Sequence, residues 1–412
     1  MRENNIKEHV MSKILLPIFD VVLLVLLMLG VWHYNHDPIF NVIFLLVYLL
    51  AMYRHYKGVR EDEGYVQSIF ALKESTGRIY VYDYLRVLAV LMVIVTHAVE
   101  LDLVDGYIDQ ASLVNPYRIL QVWTLNCNEI FVMLSGAFLL KFKEEPLSQF
   151  YKRRLSKVLI PMIVYYFFYV WITKGITEIT VDSMGPVVLN FLVANIGSFP
   201  HFWFMYMIIT LYIAIPFIRY MVKDMPYDKL TWLVVLTVVF SAIQGVIPAL
   251  YGFKLSVSFE FASWMGIAIM GYWLTRPETA RYYKHLIGLG LIALVILVAL
   301  VYTREDYTAF LNNTSPLYMV MSTGIVAFFL AIKDVFKREV WIVRLISKYS
   351  YQIVMMHWWS LLWITRGRLG IHVNSMEGLG LVLSIVVTLA VSLVASMVID
   401  YTITNAFTKL SP

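Results

Sequence analysis

Long apolar stretches joined by short polar segments run through the whole chain. They lie near 14–33, 38–53, 79–99, 117–140, 158–173, 201–218, 230–250, 259–275, 285–302, 315–332, 349–365 and 377–400. Most approach the roughly 20 residues that carry a helix across a bilayer. The pattern predicts an all-α, polytopic membrane bundle of about 12 transmembrane helices. The apolar stretch from Pro186 to Pro200 is short for a span, so it is expected to be re-entrant or interfacial.

Composition agrees: 60% of the 412 residues are hydrophobic and 15% charged, with a mean hydropathy of +0.71. After the spans, only short loops remain, and no separate soluble catalytic domain fits. The net charge of +5 reports topology rather than nucleic-acid binding. With the N-terminus inside, 26 of the 33 Lys and Arg residues fall in inner segments and six in outer ones, Arg86 lying within a run. The expectation is a multi-pass protein of the plasma (inner) membrane with both termini cytoplasmic.

The single cysteine, Cys127, excludes an internal disulfide. The first run contains Asp20 and lacks a cleavage pattern, so it reads as a retained helix. A charged linker with Glu61, Asp62 and Glu63 suggests a division into a two-helix extension (1–53), a cytoplasmic linker (54–77) and a ten-helix domain (78–412). Residues 333–348 alternate apolar and basic positions, as a membrane-surface segment or an ordinary basic loop would.

The densest chemistry lies in RIYVYDYLRVLAVLMVIVTHAVE, from Arg78 to Glu100. Ionisable groups inside a span are costly and face a cavity or a partner. At 100° per residue, Arg86 and His97 differ by only about 20° and by about 16 Å of rise. Asp83 precedes Arg86 by three residues and Glu100 follows His97 by three, so each can reach its neighbour. A histidine there can act as a general base, and Glu100 could fix its tautomer or stabilise the imidazolium. A satisfied His–Glu pair of purely structural use fits the same spacing. Glu129 also lies within a run and needs a partner, Arg118 or a group on the 79–99 run.

The string RIYVYDYLRVLA with ten residues between Arg86 and His97 resembles the opening helix of the membrane acyltransferase-3 family. MLSGAFLL (Met133 to Leu140), the basic KRRLSKVLIP from Lys152, HFWFMY from His201 and SYQIVMMH ending at His357 resemble that family in the same order. The resemblance covers residues 78 to about 400 and implies a ten-helix acyltransferase core. It implies transfer of an acetyl, succinyl or other acyl group from cytoplasmic acyl-CoA to a hydroxyl of an extracytoplasmic polysaccharide or lipid-linked glycan. His97 would be the catalytic histidine and Arg86 its essential partner or a donor contact. Two departures stand out: the usual arginine pair is here Arg154 and Lys157, and the aromatic that commonly follows Ser135-Gly136 is displaced by Ala137, with Phe138 one later.

Under this reading Lys152, Arg153, Arg154 and Lys157 would meet the donor phosphates, although positive-inside topology alone explains a basic loop. Ser135 would contact the donor arm, or the Ser135-Gly136 pair would serve helix packing. His97 would act as general base or as acyl carrier. His201, Trp203, His357 and Asp83 would border the acceptor or the cavity. No cofactor is expected to be permanently bound, acetyl-CoA or another acyl-CoA being a substrate, and no metal motif is present. The expected partners are the bilayer, acyl-CoA, the exported glycan and a polysaccharide synthesis or export complex, with no nucleic acid. The competing class is an ion- or proton-coupled transporter or exporter of an envelope precursor that uses the same polar stripe.

Overall fold

Inside a bilayer an apolar chain must satisfy its backbone N–H and C=O groups within its own segments. A computed structural model describes residues 16–34, 37–61, 65–73, 77–108, 116–174, 180–195, 197, 199–252, 258–304 and 310–408. All regular structure among the described residues is helical.

The main helices are α1 (Leu16–Tyr34), α2 (Pro38–Glu61), α3 (Val81–Val104), α4 (Pro116–Thr124), α5 (Cys127–Leu139), α6 (Leu147–Lys174), α7 (Val181–Leu192), α8 (Trp203–Val222), α9 (Tyr227–Ser241), α10 (Trp264–Leu274), α11 (Tyr283–Thr303), α12 (Pro316–Ala331), α13 (Trp341–Lys348), α14 (Ser350–Trp359) and α15 (Leu379–Ile399). Among the described residues seven helical segments are long and apolar enough to cross a membrane, while α10 and α12 are apolar but shorter. The chain is a polytopic helical membrane bundle. Several expected runs shorten for local reasons. Ser263 caps α10 by accepting from Met265 N, which starts the helix after the run's first residues. The run at 349–365 passes from α14 into a π-helical stretch, Ser360–Arg366. Over Pro186 to Pro200, the helical part is the end of α7, a 12-residue helix started by a capping box between Thr180 and Ser183.

The chain divides into two units. One comprises Met1–Ser75, Leu147–Ile209 and Val394–Pro412, the other Thr76–Pro146 and Thr210–Leu393. In the first, Tyr56 donates to the buried Asp20 carboxylate at 2.9 Å, tying α2 to α1. The His55 ring lies 4.5 Å from that of Tyr401, so α2 also packs on the end of the chain. Tyr166, Tyr169, Phe199 and Phe202 form an aromatic cluster in the same unit.

The second unit is built around α3 and two close helix pairs. A Cβ on Gly136 of α5 would lie 1.8 Å from the Ala268 carbonyl oxygen on α10, and one on Gly271 would lie 2.0 Å from the Met133 oxygen. The register runs in opposite directions, so α5 and α10 are antiparallel at backbone contact. Gly290 and Gly324 bring α11 and α12 together in the same way. In lipid such contacts, rather than hydrophobic transfer, drive association. The amphipathic α13 packs on α3, with Leu345, Ile346 and Ser347 buried, Ser347 bonded to Asp83, and Trp341 and Ile342 exposed. The 333–348 segment thus supports the start of α3.

Candidate active site

Helix α3 carries polar groups at three levels. In its first turn, where the helix dipole favours an anion, the buried Asp83 carboxylate accepts from Arg78 Nε and Nη2, both at 2.7 Å. Ser347 on α13 donates to it at 2.6 Å. Arg86, one turn on, reaches Asp83 Oδ1 and Ser347 Oγ only at 3.5 Å each. Its guanidinium lies 5.1 Å from the centroid of the Phe138 ring. Phe138 therefore provides the aromatic contact that follows Ser135-Gly136 and Ala137. Arg86 makes no other side-chain hydrogen bond among the described residues, so most of its five donors stay available.

At the next level His97 Nδ1 lies 2.9 Å from the Val93 carbonyl, one turn earlier, and 3.1 Å from Nε2 of His357 on α14. His357 is fully buried, and its Nδ1 lies 2.6 Å from the Val354 carbonyl. The Trp358 and His97 rings are perpendicular, at 90°, with centroids 5.4 Å apart. Among the described residues the remaining nitrogen of half-buried His97, Nε2, has no hydrogen-bond partner. Glu100 makes no hydrogen bond to the His97 ring among the described residues. It is exposed, and the Nδ1 it would have oriented is taken by Val93 and His357.

A third level lies at the far end of α3, and the sequence reading missed it. Asp102, fully buried, accepts from His372 Nδ1 at 3.0 Å and from the Val373 backbone N–H. Arg366 Nε stands 3.0 Å from Asp102 Oδ1 as an ion pair whose angle falls short of a hydrogen bond, and its Nη2 bonds Asp105 at 2.6 Å. Tyr107 stacks on His372 with centroids 3.6 Å apart. The signal was present in LDLVD, where carboxylates continue the polar character of α3. Its partners come from over 260 residues away, which spacing along α3 does not reveal.

Glu129 of α5 accepts from the Thr314 backbone N–H at 3.3 Å rather than from Arg118. Among the described residues its other oxygen and the side chains of Asn126, Ser315 and Tyr318 are buried without a hydrogen bond. Asn126 and Ser315 begin α5 and α12, yet neither side chain caps its helix. Ser135 Oγ donates back to the Phe131 carbonyl at 3.1 Å. Gly136 is accounted for by the backbone of Ala268.

The four basic residues expected to meet the donor phosphates belong to the first unit, and Ser135 to the second. Lys152, Arg153, Arg154 and Lys157 lie inside α6, which begins at Leu147, so they form a helical patch rather than a loop before the helix. Arg153 and Arg154 stand four and three residues before Lys157, on the same side, and Lys152, Arg154 and Lys157 are exposed. In that unit His201 is buried against Tyr169 and Phe202, at 5.0 and 4.9 Å between ring centroids, with Trp203 following it.

A helical membrane bundle with two facing imidazoles inside it defines a polytopic membrane protein with titratable groups in its interior. The family model for an acyltransferase domain matches residues 79–399. The chain belongs to the acyltransferase-3 family and is a membrane acyltransferase. No curated protein and no solved structure matches it.

Proposed function

We propose that this acyltransferase moves a short acyl group, acetyl or succinyl, from cytoplasmic acyl-CoA to a hydroxyl of an extracytoplasmic polysaccharide or lipid-linked glycan. The observation that carries the proposal is the state of His97: it is half-buried, held through Nδ1, and has Nε2 without a partner among the described residues. A base needs such a free lone pair within reach of the proton it abstracts.

In the reaction His97 Nε2 takes the acceptor hydroxyl proton while that oxygen attacks the thioester carbonyl. The carbon–sulfur bond breaks, and the departing thiolate takes the proton back from the imidazolium. The products are the ester and the free thiol, with no net proton released. An acyl-imidazole intermediate on the same nitrogen is the other route open to it. Arg86, with donors to spare, suits an anionic part of the donor or the charge developing on the carbonyl oxygen. The exposed basic patch of α6 suits the donor phosphates. We place the chain in the plasma membrane with both termini cytoplasmic, which sets that patch on the donor side.

The test is acyl transfer by the full-length protein in lipid nanodiscs, with radiolabelled acetyl-CoA or succinyl-CoA and wild type compared with Arg154→Ala. Consumption of thioester, even as slow hydrolysis, with weaker donor binding by the variant supports the reading. A folded wild type that neither binds nor consumes either thioester sinks it, and proton-coupled flux in liposomes becomes the next question.

A further inference from the structure

We propose that His357 is a positioning residue whose Nε2 lone pair accepts the Nδ1 proton of His97, holding His97 in the tautomer that leaves its Nε2 an unprotonated base. The inference rests on the reading of His97 as the base.

The argument counts protons. A backbone carbonyl only accepts, so a ring nitrogen hydrogen-bonded to one carries the hydrogen. His97 Nδ1 is 2.9 Å from the Val93 oxygen, and His357 Nδ1 is 2.6 Å from the Val354 oxygen. Each neutral ring is therefore protonated at Nδ1 and bare at Nε2. The 3.1 Å contact between His357 Nε2 and His97 Nδ1 then has one sensible polarity. The His97 Nδ1 proton is shared between the Val93 carbonyl and the His357 lone pair. The reverse polarity would set a bare His97 Nδ1 against the Val93 oxygen at 2.9 Å, two lone pairs facing with no proton between them.

The arrangement also fits what happens when His97 takes up a proton at Nε2. Its Nδ1–H becomes a stronger donor, and the His357 lone pair is already in line to receive it. In a Ser-His-Asp triad a carboxylate performs this task. Here a neutral imidazole performs it, which avoids placing a formal negative charge in the middle of the bundle. The Trp358 ring, perpendicular to that of His97 at 5.4 Å between centroids, packs against the imidazole in this position.

The test uses the full-length protein in nanodiscs with ¹⁵N-labelled histidine, the His97 signals being assigned by their absence in His97→Gln. In wild type the His97 signals should report a protonated Nδ1 and a bare Nε2. His357→Phe keeps the ring volume and removes the acceptor. It should populate the other His97 tautomer and lower kcat by about 100-fold or more, by analogy with loss of a triad orienter, with KM for acetyl-CoA within about twofold. His357→Gln places a carboxamide near the lost Nε2 and should recover about tenfold or more over the Phe variant; a merely space-filling residue would show no such recovery. Should His357→Phe fail to fold, the Gln variant and the wild-type spectrum decide. A wild-type His97 protonated at Nε2, or a folded Phe variant with the wild-type tautomer and kcat, overturns the proposal. Because the spectrum needs no turnover, a protonated Nδ1 without any acyl transfer upholds this contact while sinking the base reading.

Discussion

At one end of α3 the Asp83 carboxylate is closed by two bonds from Arg78 and one from Ser347. At the other end Asp102 is closed by His372, by the Val373 backbone and by Arg366. Between them His97 is satisfied on one nitrogen and open on the other. The same helix thus saturates its buried carboxylates at both ends and leaves a neutral ring incomplete in the middle. Buried charges are costly to leave alone, since breaking such a pair loses about 3–5 kcal/mol, so the ends behave as anchors for α13 and for the segment after α14. The middle leaves a group that can exchange a proton without breaking an ion pair.

The sharpest way to break this contrast is His97→Ala. The variant should lose about 10³-fold in acyl transfer or more, with helical content and size-exclusion profile unchanged. Turnover near the wild-type level would move the chemistry away from α3. Next in size is Asp102→Asn, which leaves Arg366, only 9% exposed, with the more exposed Asp105 as its remaining carboxylate and takes the charge from the contact with His372. It should cost about 3 kcal/mol of stability, read as a lower unfolding midpoint in detergent. Activity per folded molecule should fall by no more than about twofold. A loss of a hundredfold would make this end part of the reaction rather than an anchor.

The sequence showed the polar stripe and hid half of its partners. Asp83, Arg86 and His97 follow from helical spacing, and the 20° offset between Arg86 and His97 needs only the helix pitch. Asp83 and Arg86 do approach each other, as three-residue spacing allows. Glu100 has the same spacing to His97 and stays exposed, because local geometry permits a contact without requiring it. What decided the outcome came from α14 and from α13, which lie about 250 residues further along the chain. No periodicity on α3 tells which distant helix will pack against it. The Ser135-Gly136 motif had two readings, and the backbone of Ala268, supplied by an antiparallel helix, accounts for the glycine. Element lengths were harder still, since caps such as Ser263 and the π-helical stretch after α14 shorten runs whose hydropathy is continuous.

A smaller effect is expected at Arg86, and it sharpens the comparison from the other side. Its hydrogen-bond partners among the described residues are 3.5 Å away, while Asp83 is already satisfied by Arg78 and Ser347. Arg86→Gln should therefore leave the fold of the first turn intact. It should lower kcat/KM for the acyl donor by about 10- to 100-fold, the worth of one or two charge-assisted contacts. If unfolding shifts as far as in Asp102→Asn, Arg86 is an anchor like Arg78.

The least effect should come from Glu100→Gln, and it isolates what orients His97. The carboxylate is exposed and makes no hydrogen bond to the imidazole among the described residues, so turnover should stay within about twofold of wild type. A conventional His–carboxylate pair would lose far more on this substitution, because the amide could present a donor where an acceptor is needed. His357 is fully buried and 3.1 Å from the same nitrogen, so the two candidates for orienting His97 differ in burial, in charge and in distance. Comparing Glu100→Gln with His357→Phe in one assay therefore asks which of them the reaction depends on. A large loss at Glu100 with little at His357 would reverse the assignment and return the base to the helix that carries it.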